Sequence, residues 1–145
     1  MTAARLAARC VELLGVVEGP IAVVAPSRVA EGVSARLRVA SGNGAVGGAI
    51  CVFLGERVES GARGATLDAL AARLASGAPL VVVDHNQPRA WWRRALAIVL
   101  LALRGFGTSR ARHPVAREVQ ERGFTVERLR LASGERTQLV LARRR

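Results

Sequence analysis

No lysine occurs in this chain, and it holds only two cysteines and two histidines. Without lysine, no phosphate loop of the Gly-x-x-x-x-Gly-Lys type can form. Cys10 and Cys51 are too few and too unpatterned for a disulfide framework or a zinc site, and each sits in an apolar segment as a small buried hydrophobe. Long apolar runs are missing as well. The longest, Ala95 to Leu103, spans roughly 14 Å as a helix, under half of the ~30 Å hydrocarbon layer, so it cannot cross a membrane. The N-terminus has two arginines among its first nine residues but no long apolar core and no small-residue cleavage site, which is not the pattern of a secretory signal. A cytoplasmic location is the expectation. Repeats and low-complexity stretches are absent, and the apolar content excludes a disordered chain.

The 145 residues, 50% hydrophobic, are enough for one domain over 1–145 and too few for two ordinary ones. Charge is lopsided. The formal net charge is +11, but residues 1–88 carry 8 Arg against 7 acids, whereas residues 89–145 carry 14 Arg against 4. Such an excess, ending in Arg143-Arg144-Arg145, could serve a phosphate-seeking surface. Absence of lysine together with abundant Arg, Ala and Gly is also what GC-rich codon usage gives, so the choice of arginine does not by itself point to nucleic acid.

Leu6, Cys10, Leu13 and Leu14 fall at helical spacing within Thr2 to Gly15 and predict an amphipathic helix with Gly15 as its stop. Ile21 to Ala25, between Gly19-Pro20 and Pro26, reads as a strand buried on both faces rather than an alternating edge strand. A short helix over Arg28 to Ala35 precedes a second strand at Leu37 to Ala40 and a third at Ala49 to Leu54. Leu67, Leu70, Ala71 and Leu74 mark a helix ending by Gly77, and Leu80 to Val83 is the fourth strand. Helices follow at Arg89 to Leu103 and His113 to Arg122, the latter capped by Gly123. Thr125 to Leu131, with alternating polarity, and Thr137 to Ala142 close the chain as a hairpin about Ser133-Gly134. Buried strands separated by helices predict an α/β fold: a mostly parallel sheet with helices on both faces and an antiparallel C-terminal hairpin.

Gly42-Asn43-Gly44-Ala45-Val46-Gly47 matches the dinucleotide fingerprint in letters. That fingerprint opens a helix whose amides meet the pyrophosphate, but here the next segment reads as a strand, so a glycine-rich connection is the better reading. Asp84-His85-Asn86 stands at the carboxyl end of a buried strand, where ligands of open α/β sheets sit. It suits either acid–base work or the capping of a strand end. No further His, Cys or acid recurs nearby at ligand spacing, and no metal site is expected. Trp91-Trp92-Arg93-Arg94 leads into nine apolar residues. A helix apolar all round is buried or embedded, so core packing or a subunit interface is favoured over insertion into a membrane surface.

Taken together, Pro79 to Asn86, the Arg-bearing helix behind it, Arg112-His113-Pro114, Glu118, Gly123 to Glu127 and the strand Gln138 to Ala142 resemble the C-terminal half of class I S-adenosylmethionine-dependent methyltransferases, which have a Rossmann-like fold. Ser76-Gly77-Ala78-Pro79 matches the turn before the family's fifth strand, and Gly123-Phe124 the dipeptide opening its sixth. Upstream, Val23-Val24-Ala25-Pro26-Ser27 is similar to the second strand and Cys51 to Gly55 to the fourth, so the resemblance covers nearly the whole chain. It implies S-adenosylmethionine as cofactor, held by Pro26 and Ser27, by Gly42, Asn43 and Gly44 near the adenine, and by Phe53, Leu54 and Gly55. It also implies a small, hydrophobic acceptor beside Asn86, Trp91 and Trp92, with Asp84 or His85 as the base if one is used.

Two departures stand against these matches. The family's first strand and Gly-x-Gly-x-Gly loop have no counterpart ahead of Thr2; an internal Met read as a start, a reduced relative, or a partner chain completing the fold each account for this. Ala25 replaces the acid that accepts from the ribose hydroxyls, which a methyl group cannot do. Besides a methyltransferase, a non-catalytic methyltransferase-like binding or scaffolding protein is therefore expected, self-associating through an apolar patch where the first strand is lacking. A basic module for nucleic acid or anionic membrane is a third, weaker reading.

Overall fold

The computed structural model describes residues 1–54, 60–86, 91–103 and 115–145. Helix α1 (Ala3–Leu14) starts at Thr2, whose Oγ1 accepts from the Arg5 N–H at 3.4 Å, and stops at Gly15 with φ +75°. Five strands and four further helices follow: β1 (Ile21–Val24), α2 (Ser27–Ser34), β2 (Gly48–Val52), α3 (Ser60–Arg73), β3 (Pro79–His85), α4 (Trp91–Leu103), α5 (Val115–Glu121), β4 (Phe124–Ala132) and β5 (Thr137–Arg144). They form a sheet in the order β1-β2-β3-β5-β4, parallel through β1, β2 and β3, with β5 antiparallel to both β3 and β4. This is the α/β architecture with a C-terminal antiparallel hairpin that the residue pattern predicts.

Side chains of a strand alternate between faces, and the sheet sorts its apolar residues accordingly. One face carries Ile50, Val52, Val81, Val83 and Leu139 against Leu6, Cys10, Leu13 and Leu14 of α1 and Val29 and Val33 of α2. The other carries Cys51, Leu80, Val82 and Val140 against Leu67 and Leu70 of α3, Leu74 just beyond its end, and Val115 and Val119 of α5. Burying a Leu or Val side chain stabilises the fold by about 1.5–3 kcal/mol, so these two layers supply its main driving force. The two faces explain why β2, and β3 as far as Val83, are apolar rather than alternating.

Several expectations are corrected. The run expected at Ile21 to Ala25 forms an edge strand over Ile21–Val24, buried at Ile21 and Ala22 and half-buried at Val23 and Val24. The strand expected at Leu37 to Ala40 shrinks to one parallel bridge, Val39 with Ile21, held by the Ile21 N–H donating to Arg38 O and the Ala40 N–H to Ile21 O. No opening separates β1 from β2, which pair directly from Ile21↔Gly48 to Val24↔Cys51. Among the described residues the exposed large apolar side chains lie elsewhere, at Met1, Val16, α4, Leu129 and Leu131. The alternation over Thr125 to Leu131 does not bury one face: β4 is the other edge, and Leu129 and Leu131 are exposed. The hairpin loop has four residues, Ser133 to Arg136, with positive φ at Ser133, Gly134 and Glu135. The helix at Trp91–Leu103 is not a core helix, since most of its described side chains are exposed. Arg89, Arg112, His113 and Pro114 lie outside the described residues.

Part of the arginine excess is structural. Arg143 reaches Glu127 at 2.7 Å and Gly77 O at 2.9 Å. Arg144 lies over the Phe124 ring and donates to Gly123 O at 3.0 Å, tying the end of the chain to the turn where Gly123 ends α5 with φ +81°.

Candidate functional site

Parallel strands ending side by side leave a crevice beyond their carboxyl ends, where the following loops diverge. A cleft of about 710 Å³ lies at that edge. Pro26 and Ser27 line it after β1, Leu54 after β2 and His85 at the end of β3. The N-terminal turn of α1 (Thr2, Ala3, Leu6) forms a second wall with Met1, and Ser133 and Thr137 of the terminal hairpin a third. Four residues expected at the site, Pro26, Ser27, Leu54 and His85, thus meet around one cavity.

The alternation of β3 divides Asp84 from His85. Val81, Val83 and His85 belong to the face covered by α1 and α2, and Leu80, Val82 and Asp84 to the face covered by α3 and α5. His85 lines the cleft and is half-buried, while Asp84 is fully buried behind the sheet. Its Oδ2 pairs with Arg63 Nη1, and its Oδ1 accepts from the His85 N–H at 2.7 Å. Arg63 also donates from Nη2 to Glu118 Oε2 at 2.8 Å, and its guanidinium lies 4.4 Å from the centre of the Phe53 ring. Burial opposes the charged guanidinium, but Asp84 and Glu118 more than offset it and hold its pKa above the ordinary arginine value. Asp84 is therefore engaged in a buried Asp–Arg–Glu cluster, and among the described residues lining the cleft His85 supplies the imidazole.

Phe53 is the next case of the same alternation: with Cys51 it faces the α3 and α5 layer, whereas Leu54 faces the cleft. Gly42, Asn43 and Gly44 are exposed and are not brought to the cleft. Val39 and Gly48 both pair with Ile21, the first residue of β1, so the loop between them runs along the amino edge of the sheet. There Arg73 donates to Gly44 O at 3.0 Å and Gly42 O at 2.7 Å. Asn86 holds the hairpin loop: its Nδ2 donates to Glu135 O and its N–H to Arg136 O, both at 2.8 Å. Gln138 Nε2 donates to His85 O at 2.9 Å, which fixes the strand end beside the cavity. Trp91 and Trp92 are exposed on α4, and neither lines the cleft. Gly55 lies outside the described residues. Arg63 was not among the expected site residues, although it lies four positions before Leu67 on the apolar face of α3, where a charge needs buried partners.

Among the described residues no group of three or more His, Cys, Asp or Glu comes together that could hold a metal ion, and no helix is long and apolar enough to cross a membrane.

Compared by sequence, the chain matches no protein-family profile and no curated protein. Compared by structure, it is similar to an O-methyltransferase family protein from Burkholderia thailandensis, with TM-score 0.64 and 11% identity over 97% of this chain and 55% of that one. The pyocyanin biosynthetic protein PhzM superposes with TM-score 0.62 and 16% identity over 86% of this chain and 42% of its own. The N-methyltransferase NodS from Bradyrhizobium japonicum gives TM-score 0.61 and 11% identity over 97% of this chain and 94% of its own, and has also been solved in complex with S-adenosyl-L-homocysteine. The fold is that of the class I S-adenosylmethionine-dependent methyltransferases, as the sequence resemblance implies. This chain spans about half the length of the first two of these structures or less.

Proposed function

We propose that the chain is a methyltransferase-like protein that binds S-adenosylmethionine in the cleft at the carboxyl ends of β1, β2 and β3 and acts on a small, apolar acceptor. The observation that carries this reading is the convergence of Pro26, Ser27, Leu54 and His85 on one cavity of about 710 Å³, within the ~300–1,000 Å³ range of small-molecule sites. The donor set fits such a ligand in part. Arg28 and the first turn of α1 suit its carboxylate. Hydroxyls of Thr2, Ser27, Ser133 and Thr137 accept as well as donate, and replace the acid missing at Ala25 as partners for ribose.

The cofactor supplies an activated methyl group, and the protein's part is alignment, exclusion of water and removal of a proton. Met1, Leu6, Val29 and Leu54 give the cleft its apolar walls. In this reading His85, whose carbonyl accepts from Gln138 and whose N–H donates to Asp84, takes the proton of an acceptor hydroxyl or amine. Asp84 positions this strand end and does not touch the acceptor. In the same reading Gly42, Asn43, Gly44 and Phe53 take no part in cofactor binding.

A second reading, a methyltransferase-like protein that binds without transfer, is favoured by one observation: the described residues lining the cleft include no acid. Amide chemical shifts recorded during titration with S-adenosylhomocysteine test the site itself. The expected changes fall on Ser27, Leu54 and His85 and spare Gly42 to Gly44; absence of changes around the cleft would refute the assignment. Transfer of a labelled methyl group to small phenols or amines, in a sample shown to bind, then separates the two readings.

A further inference from the structure

Helix α4 presents its apolar side to solvent. Trp91, Trp92, Leu96, Val99, Leu100 and Leu103 are all exposed, Trp91 and Leu103 to 79%. At about 100° per residue these six positions fall within one half of the helix circumference, and neither Arg93 nor Arg94 has a position inside that half. A soluble helix normally turns such a stripe inward. An exposed apolar face rimmed by polar residues marks an interaction surface.

Charge and area identify the occupant. Residues 89–145 carry a formal +10, and Arg89, Arg93, Arg94 and Arg104 belong to the α4 stretch or lie next to it in sequence. Two copies meeting along α4 would set two strongly cationic stretches of chain against each other. Half the wall of a 13-residue helix is about 300 Å² for a rod ~20 Å long and ~10 Å across, well short of the ~800 Å² per partner of a stable protein interface. A lipid surface has neither difficulty: an apolar helix face sinks into the acyl boundary, tryptophan settles at headgroup level, and arginine is drawn to anionic lipids. We infer that α4 is a membrane-surface helix that docks the protein on anionic lipid, lying in the interface without crossing it. The inference is independent of whether the cleft binds a cofactor.

Intrinsic fluorescence reports on this directly, because Trp91 and Trp92 are the two tryptophans of the chain. The full chain is mixed with vesicles of phosphatidylcholine containing phosphatidylserine, and with vesicles of phosphatidylcholine alone. The expected result is a blue shift of tryptophan emission and co-sedimentation with the anionic vesicles, both weaker on the neutral ones. Leu103→Glu and Val99→Glu, at exposed positions that leave the far-ultraviolet circular dichroism unchanged, should each weaken binding about tenfold or more. Unchanged emission without co-sedimentation would overturn the inference. So would a dimer in sedimentation equilibrium that Leu103→Glu dissociates, with no vesicle binding, since a second copy would then cover the helix.

Discussion

Asp84 and His85 are consecutive residues of β3 that serve opposite sides of the sheet: the carboxylate is buried against Arg63, and the imidazole lines the cleft. Substitutions at the two should therefore have opposite profiles. His85→Ala, at a half-buried position, should cost under about 1 kcal/mol of stability while lowering methyl transfer by roughly 10²–10⁴-fold if the imidazole is the base. Asp84→Asn should cost roughly 3–5 kcal/mol, because it breaks a buried ion pair. Urea denaturation of both variants measures this, and a stable Asp84→Asn protein would contradict the buried cluster.

Arg63 holds two carboxylates from different elements, Asp84 of β3 and Glu118 of α5. Arg63→Met leaves both without their cation and should destabilise the fold by about 3–5 kcal/mol. Replacing all three residues together, as Arg63→Met, Asp84→Leu and Glu118→Leu, should recover much of that loss, because a well-packed apolar cluster often equals or exceeds a buried ion cluster in stability. Thermal denaturation of the single and triple variants distinguishes this from a purely steric role for Arg63.

Cys10 lies fully buried on the inner face of α1, and burial pushes its thiol up to about 12 from an ordinary 9.0. The unfolded chain releases this proton first, so the contribution is complete below pH 9 and is lost as the pH rises toward 12. The slope attributable to this thiol is about 1.4 kcal/mol per pH unit. Cys10→Ala should show a shallower alkaline loss of stability than the parent chain. In the native protein near neutral pH, neither Cys10 nor Cys51, both buried, should react with a thiol reagent without unfolding.

Gly47 and Gly44 lie three residues apart and should respond oppositely to a methyl group. A Cβ at Gly47 would overlap the Glu18 carbonyl oxygen, whereas one at Gly44 meets nothing within 4 Å. Gly47→Ala should destabilise by about 1–3 kcal/mol through backbone displacement. Gly44→Ala should be neutral or stabilising by up to about 1 kcal/mol. Denaturation midpoints of the pair test the close approach of the segment before β1 to the start of β2.

The legible parts of the sequence were those where periodicity and punctuation agree. α1 runs between Thr2 and Gly15 as expected, and the apolar runs of β2 and β3 became central parallel strands. Less legible was anything decided by neighbours distant in the chain. Leu37 to Ala40 is apolar enough for a strand but finds one pairing partner, Ile21. Thr125 to Leu131 alternates, yet its place at the sheet edge leaves Leu129 and Leu131 exposed. At the site, Asp84-His85-Asn86 was recognisable as a polar cluster at a strand end, but strand alternation separates its first two members. Arg63 carries a sequence signal of its own: an arginine on the apolar face of α3 and an acid within a buried strand each require a partner. The glycine-rich stretch is a connection, as its context implies, but the resemblance sets Gly42 and Gly44 near the adenine, whereas Arg73 fastens their turn at the other end of the sheet.

The central claim is that the cleft lined by Pro26, Ser27, Leu54 and His85 holds the methyl donor. Calorimetric titration of the full chain with S-adenosylhomocysteine tests it most directly. The account predicts saturable one-to-one binding with a micromolar Kd, lost when Leu54→Arg fills the cleft in a variant that still folds. No heat of binding at millimolar ligand, from a chain whose circular dichroism shows it folded, would contradict it.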